Sequence, residues 1–584
     1  MLPTRRAVLA LTALVLATGC TEEGPPPVPG PPQGSRTLDQ MAEAVGADVL
    51  EALHAGYYPA TSTDIAFVPE PYNVVVRWSG VGLGTDDADP STTHPTPWSY
   101  HQRVPLVLHG ARHIREGVVV ERPADLTGLA ATFEALTRGS GEAFDSGPLD
   151  QEYPANGPLL EALTGDGPSP RAIVLVAYDG GGWNLLERWP DAWPELRRLM
   201  EEGTVFSNAT IGSAPAVTSA IHANMGTGLP PAAHGMAEIT GRRPDGSVGD
   251  LFFEHEADPQ LLLEPTFGDE WDLENDNEPW VGMIGYESWH LGMMSHGAQW
   301  PGGDRDVAVL WNPDEGIGEF FANEDLYEVP DYLPDEDDLR ARLDEQDAED
   351  GELDGMWNEY DLQDPKVIPA TPAFVIHQGQ ALLEMMRQEP FGDDEVTDLL
   401  FVELKPTDFG GHLWNMVSPE EEVVLRAQDE LLGQIVDTLD REVGEGEWVL
   451  GFTADHGQTP LPETTGGLRI HPDVLGSEID AYFGRKIVQK VTPSGLFLDR
   501  GLMDVAGITL EDVARFVGEY RYGDGLPKDA DRSRIPEEEL QRRVFAGAFP
   551  GDYLEGLTGE QVRAAGLGDY PEGDLRSLVP VPFP

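Results

Sequence analysis

Three short apolar runs, each followed closely by an acidic residue, constrain this chain more than anything else in it. Arg171–Tyr178, Asp398–Leu404 and Trp448–Thr453 are apolar through their centres, the pattern of strands buried on both faces. A fourth run, Tyr72–Trp78, lies in the N-terminal third. Amphipathic helical stretches such as Trp193–Glu202 and Pro419–Glu442 stand among them. Strands alternating with helices predict an α/β fold, with a mostly parallel central sheet and helices on both faces. Sheets of this kind place ligands beyond the carboxyl ends of their strands. The residues that follow each run therefore carry the functional information.

After the first run comes Asp179-Gly180-Gly181-Gly182. After the second come Lys405, Asp408 and His412, and after the third come Asp455-His456-Gly457. Carboxylate oxygens and imidazole nitrogens are the ligands of a hydrolytic metal pair. One Asp after a strand is ordinary turn chemistry. Three in order, two of them with a His close by, are not. A nucleophile for such a site belongs at a helix N-terminus, where free amides favour negative charge. The stretch Gly212–His222 offers Thr218, preceded by Pro215 and small residues.

The order Asp179-Gly180, Thr218, Thr227-Gly228-Leu229-Pro230, His234-Gly235, Asp408 with His412, and Asp455-His456-Gly457 resembles the alkaline phosphatase superfamily. Within it, the likeness is to the type I phosphodiesterase/nucleotide pyrophosphatase-like and phosphate-monoesterase members. The resemblance implies an alkaline-phosphatase-like three-layer sandwich and hydrolysis of phosphate esters through a phosphothreonine. It also implies two divalent metal ions, zinc by preference, and a phosphorylated small-molecule or nucleotide-type substrate. Asp179, Thr218, Asp455 and His456 match the ligands of one metal, and Asp408 and His412 match two ligands of the other. The family takes a further His from a segment downstream of Asp-His-Gly. Here only His471 lies downstream, in unlike surroundings.

A segment similar to the missing one stands near the front: Thr92–Tyr100, containing His94, then Val104–Leu108, Asp125–Leu136 and Gly157–Leu163. This implies a circular permutation. Residues 37–165 are then the family's usual C-terminal portion, 166–470 the main core, and 471–584 a cap and tail. His94 becomes the second metal's remaining ligand, with His471 in reserve. The strand Tyr72–Trp78 is expected in the same sheet as Arg171–Tyr178. His222 and His234 are expected to pack or orient the nucleophile helix. His290 and His296 are expected to line the substrate pocket or serve as caps and packing. Lys405 either offers a cation to a phosphoryl oxygen or is a solvated strand-end residue. Residues 323–364, rich in Asp and Glu, read as a surface insertion.

Lys+Arg is 37 against Asp+Glu 104, a net charge of -67. That field disfavours nucleic-acid duplex binding, and a phosphate site within it needs metal ions or local cations. At the N-terminus, Arg5-Arg6 precede the apolar run Ala7–Ala17, which is too short to span a bilayer. Leu16–Cys20 resembles a bacterial lipoprotein signal, and Thr4-Arg5-Arg6 a twin-arginine export signal. Residues 1–20 are thus expected to direct export, with lipid attachment to Cys20 and residues 21–36 as a linker. Cys20 is the only cysteine, so no internal disulfide can form. Two alternatives stand beside this reading. A sulfatase of the same fold needs an Arg where Ser213-Ala-Pro215-Ala-Val217 has Val217. A non-catalytic surface lipoprotein needs none of the metal-ligand types the chain carries.

Overall fold

The computed structural model describes residues 29–76, 92–138, 157–165, 167–243, 245–252, 262–286, 293–295, 302–311, 318–322, 325–351, 353–526 and 532–557. The signal segment with Cys20, the start of the 21–36 linker, His290 and His296 lie outside the described residues.

The central strand Ala172–Tyr178 lies between Asp398–Leu404 and Trp448–Ala454, parallel to both. All seven of its residues are buried, and they sort by the two-residue period of a strand. Ala172, Val174, Val176 and Tyr178 join one core with the helices Pro194–Glu202, Pro372–Gln388 and Pro419–Leu439. Ile173, Leu175 and Ala177 join another with Gly128–Arg138, Thr218–Thr227 and Phe267–Glu274. Burial on both faces is why the run is apolar without alternation. Among the described residues the sheet has nine strands. Val281–Gly285, Val307–Trp311 and Phe320–Phe321 extend it on one side, and Leu106–His109, Thr204–Phe206 and Val118–Val120 on the other. Only Leu106–His109 and Phe320–Phe321 run against the rest. This is the expected three-layer α/β sandwich.

One expectation about the N-terminal third needs correction. The described part of Tyr72–Trp78, residues 72–76, does not enter the central sheet. Only Val74–Val75 is a strand there, pairing with Arg469–Ile470 in a separate ribbon. Asn73 fixes that placement: its Nδ2 donates to the Val544 carbonyl (3.0 Å), and its Oδ1 accepts from Leu468 N–H (2.8 Å). The strand that does join the central sheet is Leu106–His109, antiparallel to Trp448–Ala454.

The described parts of residues 37–165 are shared between two sheets. Ile65–Pro69 sits inside a second, four-stranded sheet between Gly495–Leu498 and Phe545–Pro550. Met41, Val45, Val49 and Leu53 from the two preceding helices pack with Val68, Ala546 and Phe549. Residues 38–69 thus belong with the C-terminal region, while 106–136 belong to the catalytic sandwich. The acidic stretch is also more than surface: helix Glu336–Asp347 packs Leu339 and Leu343 into the core. No described helix is long and apolar enough to cross a membrane.

Candidate active site

Register determines what meets at the carboxyl edge. Tyr178 pairs with Leu404 on one side and Ala454 on the other. Asp179, Lys405 and Asp455 therefore leave the sheet side by side, on strands about 4.8 Å apart. Helix Pro406–Leu413 begins at once. One turn into it stands Asp408, and His412 lies four residues further on the same face.

These residues build two adjoining sets of donors. In the first, Asp408 Oδ1 lies 3.3 Å from His412 Nε2 and 3.4 Å from His94 Nε2. His412 Nδ1 bonds the Thr92 carbonyl (2.8 Å) and His94 Nδ1 the Ala216 carbonyl (2.9 Å). A carbonyl only accepts, so both rings carry hydrogen on Nδ1 and turn Nε2 toward Asp408, the orientation of a metal-ligating imidazole. In the second set, His456 Nε2 lies 3.3 Å from Asp179 Oδ1 and 3.4 Å from Asp455 Oδ2. His222 Nε2 stands 3.7 Å from the same Asp455 oxygen. Ligand atoms of His94, Asp408 and His412 lie within 4.8 Å of one another, as do those of Asp179, Asp408 and His456, and those of Asp179, His222 and Asp455. Asp455 Oδ2 and His456 Nε2 are buried and make no hydrogen bond. Nitrogen and oxygen donors in this number suit two divalent ions of the zinc type.

His94 reaches this cluster because its segment is stitched to both catalytic loops. Thr92 Oγ1 donates to the Gly411 carbonyl (3.3 Å), and Thr459 Oγ1 donates to the Thr93 carbonyl (2.7 Å). Gly457 N–H donates to the His101 carbonyl (3.0 Å). The His94 ring stacks on His456 with centroids 3.6 Å apart.

Lys405 departs from the reading of it as a solvated residue. It is 6% exposed, and its Nζ lies 2.6 Å from Asp179 Oδ2 and 2.7 Å from Asp408 Oδ2. Each of these carboxylates gives one oxygen to the lysine and turns the other toward the histidines. Burial alone would lower the Lys405 pKa, but Asp179, Asp408 and Glu403 hold it well above its ordinary value. Burial would likewise raise Asp408, yet His412 and Lys405 keep it below the usual carboxylate range. Burial and the neighbouring His456 push His94 well down. Against its own burial, His456 is raised to about 9 by Asp455 and Asp179.

The sequence profile of the type I phosphodiesterase / nucleotide pyrophosphatase family matches residues 173–493. The chain belongs to that family. Its sequence is 23% identical over 413 residues to alkaline phosphatase PafA of Elizabethkingia meningoseptica, covering 60% of this chain and 73% of that one. It is 23% identical over 340 residues to alkaline phosphatase PhoV of Synechococcus elongatus, covering 50% of this chain and 60% of that one. The crystal structure of wild-type PafA superposes with a TM-score of 0.50 at 18% identity, covering 66% of this chain and 85% of that chain. That likeness concerns the fold. The protein is thus a phosphodiesterase-family member of the alkaline phosphatase superfamily, a metal-dependent hydrolase of phosphate esters.

In this phosphodiesterase-family chain, Thr218 is the first residue of helix Thr218–Thr227 and is buried to 3% exposure. The residue before it, Val217, supplies no capping side chain, which leaves the first-turn amides for an anion. His222 lies one turn along on the same face as Thr218, and it is the residue near Asp455. The sequence signal for this was its four-residue spacing from Thr218. His234 behaves as expected, its Nε2 bonding Asn224 Oδ1 of the same helix (2.9 Å). Ser213 Oγ accepts from Asn224 Nδ2 (3.0 Å), which engages it structurally. His471 precedes helix Pro472–Phe483 and joins no group of potential ligands among the described residues.

Proposed function

We propose that this hydrolase transfers the phosphoryl group of a phosphorylated small-molecule or nucleotide-type substrate to Thr218, beside two zinc ions. Asp179, Thr218, Asp455 and His456 would hold one ion. Asp408, His412 and His94 would hold the other. The observation that carries the reading is the register: three parallel strands end level, and the residues that follow them supply five of the donors, which His94 and His222 join. The bound ions would lower the Thr218 hydroxyl pKa and offset charge on the phosphoryl oxygens. Thr218 Oγ, its proton lost, attacks phosphorus as the substrate's alcohol leaves. Water then cleaves the threonine ester, restoring the hydroxyl and releasing inorganic phosphate from a monoester substrate or a phosphate monoester from a diester. The uncapped first turn at Thr218 supports anion binding during both steps. The test is turnover of an aryl phosphate monoester and a bis(aryl) phosphate diester by the zinc-reconstituted full chain, with mass spectrometry of acid-quenched protein. Turnover with phosphate on Thr218 supports the reading. No turnover of either ester overturns it.

We further propose export with lipid attachment at Cys20, supported by Arg5-Arg6, the short apolar run and Leu16–Cys20. Labelled palmitate should enter the chain in a bacterial host and be absent from Cys20→Ala. The permuted order is likewise our reading. It is supported by His94 standing in the cluster and by a family profile whose match begins only at residue 173.

A further inference from the structure

At the opposite end of the molecule's central sheet, three carboxylates come together where no catalytic role calls for them. Asp272 lies in helix Phe267–Glu274, and Asp304 and Asp306 lie just before strand Val307–Trp311. One oxygen from each lies within 4.8 Å of the others. With Asp+Glu at 104, acidic neighbours are common in this chain, and proximity alone decides nothing. Asp272 adds the deciding observation. It is 1% exposed, and neither of its carboxylate oxygens has a hydrogen-bond partner. A buried carboxylate without a partner is unfavourable unless a cation or a proton compensates it. Burial, with Asp304 and Asp269 nearby, raises its pKa to about 7. Asn277 ties the two segments together. Its backbone N–H donates to the Asp272 carbonyl (2.9 Å) and its Nδ2 to the Gly302 carbonyl (3.0 Å), while its Oδ1 is buried with no hydrogen bond.

We propose that Asp272, Asp304 and Asp306 bind a calcium ion that fastens the end of this helix to the start of the Val307–Trp311 strand. The donors are all oxygen, which selects a hard cation over zinc. Calcium accepts six to eight oxygens in flexible geometry, carboxylates among them, whereas magnesium demands a near-ideal octahedron and keeps most of its waters. The ion is structural. Val307–Trp311 runs parallel to the strands that carry Asp179, Asp408 and Asp455 at their far ends. A seven-residue strand places the two sites on the order of 20 Å apart.

The test uses the zinc-loaded full chain, so that the catalytic donors are already filled. Calcium chloride is titrated while melting temperature and aryl phosphate turnover are followed. Terbium luminescence, excited through Trp271 beside Asp272, gives a second readout. Calcium should raise the melting temperature by about 3 °C or more without changing turnover. Asp272→Asn and Asp304→Asn should lose both the rise and the terbium signal. Without calcium, Asp272→Asn should be at least as stable as the parent, because it removes the uncompensated carboxylate. Asp304 is exposed, so its variant reads the site even if Asp272→Asn fails to fold. No calcium response in the parent overturns the proposal, and so does an equal response in the parent and Asp304→Asn.

Discussion

Thr218→Ala removes one hydroxyl and one methyl from the first position of a helix, where alanine is well tolerated. Fold and zinc content should persist while turnover falls by about three orders of magnitude or more. Circular dichroism, metal analysis and aryl phosphate kinetics on one preparation check this. Ser213→Ala and Ser219→Ala should keep most activity, and the reverse pattern would move the nucleophile to a serine. Lys405 makes a different prediction, because its charge matters most when metal is absent. Lys405→Met leaves Asp179 and Asp408 without their shared cation. In a chelator the variant should lose roughly 3–5 kcal/mol of stability. With zinc bound, the loss should be smaller, because the ions compensate the same carboxylates. Denaturant titration of chelated and zinc-loaded protein separates the two. An equal loss in both states would mean that Lys405 acts only through packing. Arginine is no substitute here, since its planar fork does not present the compact charge that two converging oxygens require.

Among the elements, the strands with buried faces were the most legible. Continuous apolar runs identified Ala172–Tyr178, Asp398–Leu404 and Trp448–Ala454, and their sequels supplied Asp179, Asp408, His412, Asp455 and His456. Register was not legible, because strand neighbours are chosen by packing between residues hundreds of positions apart. The solvated alternative for Lys405 fails for that reason: its surroundings exist only once Tyr178 and Leu404 stand level. The front of the chain failed differently. Tyr72–Trp78 has a strand's composition, but Asn73 binds it to residues 468 and 544. The four residues Leu106–His109 are too short a run to announce a core strand. His94 was legible only through its motif. It stands in the cluster because hydrogen bonds at Thr92, Thr93 and His101 hold the 92–101 segment to the segments at 411–412 and 457–459. His94→Ala should therefore reduce bound zinc from two equivalents to about one and remove most turnover. His471→Ala should leave both near the parent's values. Metal analysis after exhaustive dialysis decides this, and full zinc occupancy in His94→Ala would remove it from the ligand set.

At the scale of the whole molecule, the N-terminal third is woven into both sheets. Deleting residues 37–165 takes Leu106–His109 and Val118–Val120 from the central sheet and opens the edge of Trp448–Ala454. It also takes Ile65–Pro69 from the middle of the four-stranded sheet. Unpaired edges of this kind invite aggregation, so the deletion should yield insoluble protein or protein with no cooperative melting transition. That result alone would not separate a permuted domain from one that merely needs its N-terminal part. A rearranged chain does. The loop at Gly165 and Gly167 is exposed, and both glycines have positive φ, a suitable place for new termini. The first and last described segments approach each other: His54 Nδ1 bonds the Leu554 carbonyl (2.8 Å), and Arg36 Nη1 donates to the Ala546 carbonyl (2.7 Å). A chain that begins at 167, runs to 557, and continues through a flexible linker into 37–165 keeps every strand pairing and returns His94 to the same cluster. It should fold cooperatively, bind two zinc equivalents and hydrolyse aryl phosphate within about tenfold of the parent rate. If the rearranged chain is as insoluble as the deletion, the order of the segments, and not only their presence, is required for this fold to form.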